Sequence, residues 1–222
     1  PMLLSAHSRF KENETNHFKC LNLINGFLFR FKIVNGNSPD NLQTKVNEIS
    51  IKLRENTFEI ANLKQYLNDE KLGIKNNQIL TTLKNMEMKV TIRKFLFLEI
   101  ENYIRKDIGN PTELIESCVD IEHILPESSI HLKNYTKFDK ETHRNNFWKL
   151  GNLLLIKKKL NKKLDGKSFK AKILILNDNT NNFEIVKNFL EYNFTKEDWD
   201  ETLIQNRSLH ISNKILEVYS IN

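Results

Sequence analysis

The sequence predicts a mainly α fold that carries a small ββα unit, a helical bundle plus one short β-hairpin. Three observations predict it. Apolar residues recur at three- and four-residue spacing through most of the first 110 residues, the signature of amphipathic helices. Only 6 glycines and 4 prolines occur among 222 residues, too few turn formers for an all-β sandwich or barrel. After Asn110-Pro111 the character changes to two short apolar runs with a lysine-rich, helix-compatible stretch behind the second. That break divides the chain into a helical region, 1–110, and a second domain, 111–222 with C-terminal helices, within a length that suits one large domain or two small ones.

In order along the chain, residues 16–34 place Phe18, Leu21, Ile24, Leu28 and Phe31 on roughly one helical face. Gly36 and Ser38-Pro39 end that helix and start the next, with Ser38 as N-cap and Pro39 at the first helical position. Leu42, Val46, Ile49 and Leu53 continue the pattern, and short helices near 57–69 and 76–85 flank Gly73. Val90 to Arg105 is apolar enough to be a buried helix. Residues 117–125 (SCVDIEHIL) read as a strand stopped by Pro126, and 150–156 (LGNLLLI) as a second strand entered through Gly151. Between them runs a long loop holding His131 and His143. A helix opened by Thr195 with Asp198 three residues on resembles a capping box, and Trp199, Leu203, Ile211, Ile215 and Val218 give it an apolar stripe.

Composition narrows the function classes. No run of 18 apolar residues exists, so no membrane span or membrane partner is expected. Cys20 and Cys118 form no CxxC and are too few for a zinc ribbon or disulfide scaffold; two reduced thiols in a cytoplasmic protein are the expectation. The chain starts at Pro1 rather than Met, and we expect a fragment of a longer protein. The formal net charge is +6, but residues 157–172 hold eight lysines against the single acid Asp165, which leaves the rest of the chain slightly negative. Such a run is either a solvated helix face or a surface that binds phosphates by counterion release, and its neighbours decide between them.

The neighbours are Glu122-His123 at the end of the first strand, Asn152 in Gly-Asn-Leu, and Asn161 nine positions later. With IEHILP, LGNLLLI and LNKK, the chain resembles an HNH nuclease motif, and more narrowly the C-terminal HNH domain of GmrSD-type, type IV modification-dependent restriction endonucleases. The resemblance extends to Phe97-Leu98-Glu99-Ile100 before the strand and to Lys167-Ser168-Phe169-Lys170 after the motif. It ends on a helix with Trp199, Ile204 and Arg207. Leu154 and Gly166 depart from it, where many relatives have Thr and Asn.

The resemblance implies a metal-dependent HNH endonuclease acting on DNA in a restriction or anti-phage system. It implies that His123 activates the attacking water and that Asn152 fixes the imidazole or its loop. Glu122 and Asn161 would hold one divalent cation, for which oxygen ligands favour Mg²⁺ or Mn²⁺. Lys157, Lys158, Lys159, Lys162, Lys163, Lys167 and Lys170 would then face the DNA backbone. A ParB-like nucleotide-binding domain precedes the helical part in that family, so an upstream domain of this kind is the expected partner. For residues 1–110, scaffold, linker and homodimer surface all stay open. Two rival readings stand beside it: a catalytically silent nucleic-acid-binding or regulatory module, and an HNH nuclease that cuts RNA. Adjacent strand residues point to opposite faces, so Glu122 and His123 can share a site only if the strand ends or kinks there.

Overall fold

The computed structural model describes every residue except 35, 37, 38, 56, 57, 69–74, 111–113, 180–182 and 222. The expected cap at Ser38, the boundary at Gly73 and the break at Pro111 lie outside the described residues. Two compact units result, Pro1–Thr82 with Leu216–Asn222, and Leu83–Ile215.

The first unit is helical. It contains α1 (Met2–Phe10), α2 (Glu14–Leu28), α3 (Pro39–Lys52), α4 (Ile60–Leu67) and most of α5 (Asn76–Asn85). Asn13 starts α2 by accepting the Asn16 amide on its side chain at 3.0 Å, and α2 runs on as a π-helical turn over Phe29–Val34. The buried face of α2 is Cys20, Leu23, Ile24 and Phe27, closed by Phe31. Phe18, expected on that face, is 56 % exposed. The buried stripe follows the 20, 23–24, 27, 31 spacing, and Phe18 lies on the opposite side of the helix. Ile49 of α3, Leu53 just past its end, and Leu63 and Leu67 of α4 complete a core in which nearly every side chain is apolar.

The second unit holds α6 (Val90–Asp107), β1 (Val119–His123), α7 (Lys140–Asn146), β2 (Leu153–Lys157), α8 (Lys158–Leu164), α9 (Phe169–Asn177), α10 (Glu184–Asn193) and α11 (Glu201–Val218) up to Ile215. The two strands form an antiparallel pair in the register Val119↔Lys157 to His123↔Leu153. Leu153, Leu154, Leu155 and Ile156 are all buried, so β2 is covered on both faces and reads as a continuous apolar run rather than an alternating one. The mainly α fold with one short hairpin is therefore what the chain adopts.

Three local features differ from the sequence-based expectation. The lysine-rich stretch is two helices, broken at Asp165 and Gly166, whose φ of +64° favours glycine. Helix α10 has no counterpart in the expectations because its cap is remote: the buried Glu101 of α6 accepts the amides of Glu184 and Ile185, each at 2.9 Å. Helix α11 opens at Asp200, whose side chain accepts the Leu203 amide at 2.8 Å, rather than at Thr195, and Trp199 precedes it. Among the described residues, no helix is long and apolar enough to cross a membrane.

Candidate active site

The end of β1 is fixed with unusual completeness. Four successive carbonyls, from His123 to Pro126, each accept a hydrogen bond from a side chain of a different segment. Lys172 of α9 donates to His123 O at 2.6 Å, and the Tyr135 hydroxyl to Ile124 O at 2.5 Å. The Asn152 amide donates to Leu125 O at 2.8 Å, and His143 Nε2 of α7 to Pro126 O at 2.8 Å. A segment leaving a strand before a proline has no ladder of its own, so its buried carbonyls need such partners.

Asn152 is the centre of this arrangement. Its side chain pairs with Leu125 as another strand residue would, accepting the amide at 2.7 Å while donating to the carbonyl. The second amide proton goes to Phe147 O at 2.8 Å, and the carboxamide oxygen also takes the Trp199 indole N–H at 3.0 Å. Two donors and two lone pairs are thereby used, so Asn152 has nothing left for an imidazole or a substrate. Through these bonds it holds the segment after His123.

Two motif elements far apart in the second unit, Gly-Asn-Leu and the Trp199–Arg207 segment, meet here. Gly151, just before Asn152, has no room for a side chain: a Cβ would lie 1.9 Å from Ile204 O. Arg207, one turn further along α11, donates to both Gly151 O and Leu153 O at 2.6 Å. Trp199, Ile204 and Arg207 thus clamp the Gly-Asn-Leu segment, which accounts physically for their place in one motif.

His123 closes β1 with a neutral ring. Burial first, then the nearby Arg93 and Lys172 cations, push its pKa down to about 4. Its Nε2 is buried and has no hydrogen-bond partner among the described residues. A buried imidazole nitrogen left without a partner costs free energy unless something else fills the position, so it marks a place for a water or ligand.

The acidic side of the site is split. Glu122 is 6 % exposed and pairs with Lys172, which is 3 % exposed. Burial raises the Glu122 pKa while the Lys172 ammonium opposes that rise. Asn161 of α8 donates instead to Asp120, Nδ2 to Oδ2 at 2.7 Å. Asp120 and Glu122 are two apart on β1 and so share a strand face. Among the described residues no three His, Cys, Asp or Glu side chains converge as a metal cage.

Lys158, Lys159, Lys162, Lys163 and Lys167 are exposed; Lys157 and Lys170 are partly so. Leu160 and Leu164 supply the buried side of α8. Lys170 bonds Glu197 at 2.7 Å. Asp120, Tyr135, Lys172 and Arg93 are not among the site residues expected from the sequence. Asp120 could have been found from its two-residue spacing to Glu122, and Lys172 from its position three after Phe169, on the same helical face. Tyr135 and Arg93 carry no local signal. His143, placed by the sequence in the long loop before the second strand, is a buried anchor of the segment after β1.

Residues 62–214 match the family model of the C-terminal domain of GmrSD restriction endonucleases. No curated protein matches the chain. The match covers well over half of the chain and takes in both strands, α8 and the clamping residues of α11. The chain therefore belongs to the family of GmrSD restriction endonuclease C-terminal domains, and its class is that of a nuclease.

Proposed function

We propose that the second unit is a metal-dependent HNH endonuclease that hydrolyses DNA phosphodiester bonds. The observation that carries this reading is the buried, unpartnered Nε2 of His123 on a neutral ring, at the end of a strand where its own carbonyl and those of the next three residues are fixed by side chains. A neutral imidazole with an open nitrogen can take a proton from an attacking water, and the fixed carbonyls keep that nitrogen at one position. Asn152, His143, Tyr135 and Lys172 are positioning residues in this reading, since each acts through the backbone that carries His123.

The donor set suits a hard cation. Asp120, Glu122 and Asn161 offer oxygen ligands from one strand face and the helix beside it. Glu122 and Asn161, with Asp120 behind Asn161, would hold one Mg²⁺ or Mn²⁺ that keeps several waters. When bound, such an ion supplies charge stabilisation to the phosphate and the leaving oxygen. The lysines from Lys157 to Lys170, exposed or partly so, would lie along the DNA backbone. In this reading the chain serves a restriction system in the cytoplasm beside a ParB-like nucleotide-binding domain, and the helical unit is its scaffold, linker or dimer surface.

Cleavage of supercoiled plasmid tests it, with Mg²⁺, Mn²⁺ or EDTA and wild type beside His123→Ala. Metal-dependent cutting that falls by about a hundredfold or more in the variant, with its thermal unfolding unchanged, is the expected result. Wild-type cutting by the variant would remove His123 as the base. Salt-sensitive DNA binding without cutting under any metal would favour the silent module, a reading that draws on Glu122 being engaged by Lys172. A structured RNA run in parallel separates the two nucleic acids.

A further inference from the structure

Lys172 stands apart from the seven other lysines of its run. It is the only buried lysine among the described residues, set on the inner face of α9 with Phe169, Ile173 and Leu176. Its ammonium contacts the Glu122 carboxylate at 2.5 Å and the His123 carbonyl at 2.6 Å. A buried ion pair is no more stabilising than apolar side chains of similar volume, so stability alone does not account for it. Its position does: one cation touches both the carboxylate expected to ligate a metal and the backbone of the expected base. Asp120, beside Asn161, and Asp165 both bear on the same pair electrostatically.

We propose that Lys172 is the resident cation of the site, occupying the Glu122 carboxylate in the metal-free chain and giving up that oxygen when a divalent cation binds. The inference rests on Glu122 being a metal ligand, as in the function proposed above. A dication and an ammonium cannot share one buried carboxylate without strong repulsion, so Lys172 lowers metal affinity. On leaving Glu122 it keeps the His123 carbonyl, so the strand end stays in place in both states. The site is thus held in its working shape without metal, and an unpaired buried carboxylate never arises.

Two measurements test this on the purified chain. Titration calorimetry with Mn²⁺ compares wild type, Lys172→Met and Lys172→Arg. The Met variant should bind about tenfold tighter, and the Arg variant, which keeps the charge, should stay close to wild type. Nitrogen-15 lysine NMR on the wild type follows the protected ammonium signal that burial gives Lys172; Mg²⁺ should shift or broaden it, and this arm stands even where Lys172→Met fails to fold. Unchanged affinity in a folded Lys172→Met, or an unmoved signal at saturating Mg²⁺, overturns the proposal while leaving the metal reading intact. Absence of Mn²⁺ binding by every variant overturns both.

Discussion

The two units bury similar apolar side chains but treat polar groups differently. In the first, the core of Ala6, Cys20, Ile24, Phe27, Ile49, Leu53 and Leu63 is almost purely apolar. The buried Arg30, the one buried cation among this unit's described residues, reaches the Tyr219 carbonyl at 2.8 Å and the Asn76 side chain at 2.7 Å. The second unit buries Glu101, Glu122, His143, Asn146, Asn152 and Lys172 as well. His143, Asn152 and Lys172 among them bond residues 122–126 or their backbone. Apolar packing tolerates repacking, whereas a hydrogen-bonded buried network admits one arrangement. The polar interior therefore lies where a backbone must be held still, and that is the end of β1.

Glycine substitutions probe the contrast most severely. Gly151→Ala drives a Cβ to 1.9 Å from Ile204 O and 2.6 Å from Ser208 N, both backbone atoms. It should cost about 4 kcal/mol or leave the unit unfolded, because α11 cannot retreat without losing the Arg207 bonds. Gly26→Ala in the first unit meets the Tyr219 and Ser220 carbonyls at 3.0 Å, a contact that a shift of a few tenths of an ångström relieves. About 1–2 kcal/mol is expected there. Urea denaturation of both variants measures the difference, and equal losses would mean that the second unit is as deformable as the first.

The next comparison separates stability from activity. Asn152→Ala leaves the Leu125 amide and carbonyl, the Phe147 carbonyl and the Trp199 indole without partners, at a cost of about 3 kcal/mol. Leu53→Ala opens a cavity in the first unit for a similar cost, about 3 kcal/mol. Measured at a temperature where both remain folded, Asn152→Ala should cut DNA at least about tenfold more slowly, since the loop behind His123 is free to shift. Leu53→Ala should cut at the wild-type rate. A normal rate for Asn152→Ala would make the clamp purely structural.

These contrasts also mark what the sequence could carry. Helical periodicity located α3 through Leu42, Val46, Ile49 and Leu53, and the apolar run LGNLLLI located β2, because burial on one face or both leaves a local imprint. The Gly-Asn-Leu spacing and the distant Trp199–Arg207 motif were legible as a resemblance, but not as a clamp. What stayed hidden is what depends on long-range partners: α10 is capped by Glu101, 83 residues away from Glu184. Likewise the sequence places Lys172 on the face of Phe169, but only the fold brings it to Glu122. Asn161 was read as sharing a cation with Glu122, yet its hydrogen bond goes to Asp120, since register and helix phase, not composition, decide which acid it meets.

The smallest expected effect on stability, and the sharpest on partner binding, concerns the lysines that remain outside. Lys162 and Lys163 are exposed on α8, so Lys162→Gln with Lys163→Gln should alter stability by no more than about 0.5 kcal/mol. If each faces a phosphate, the slope of log affinity against log salt should fall by about 2 in magnitude for the pair. Lys170→Gln should change it by less than about 1, because Glu197 already competes for that ammonium. Fluorescence anisotropy with a labelled duplex across a KCl series in EDTA reads all three slopes without cleavage. An unchanged slope in the double variant would make α8 an ordinary solvated face, and the charge that binds DNA would have to be sought elsewhere on the second unit.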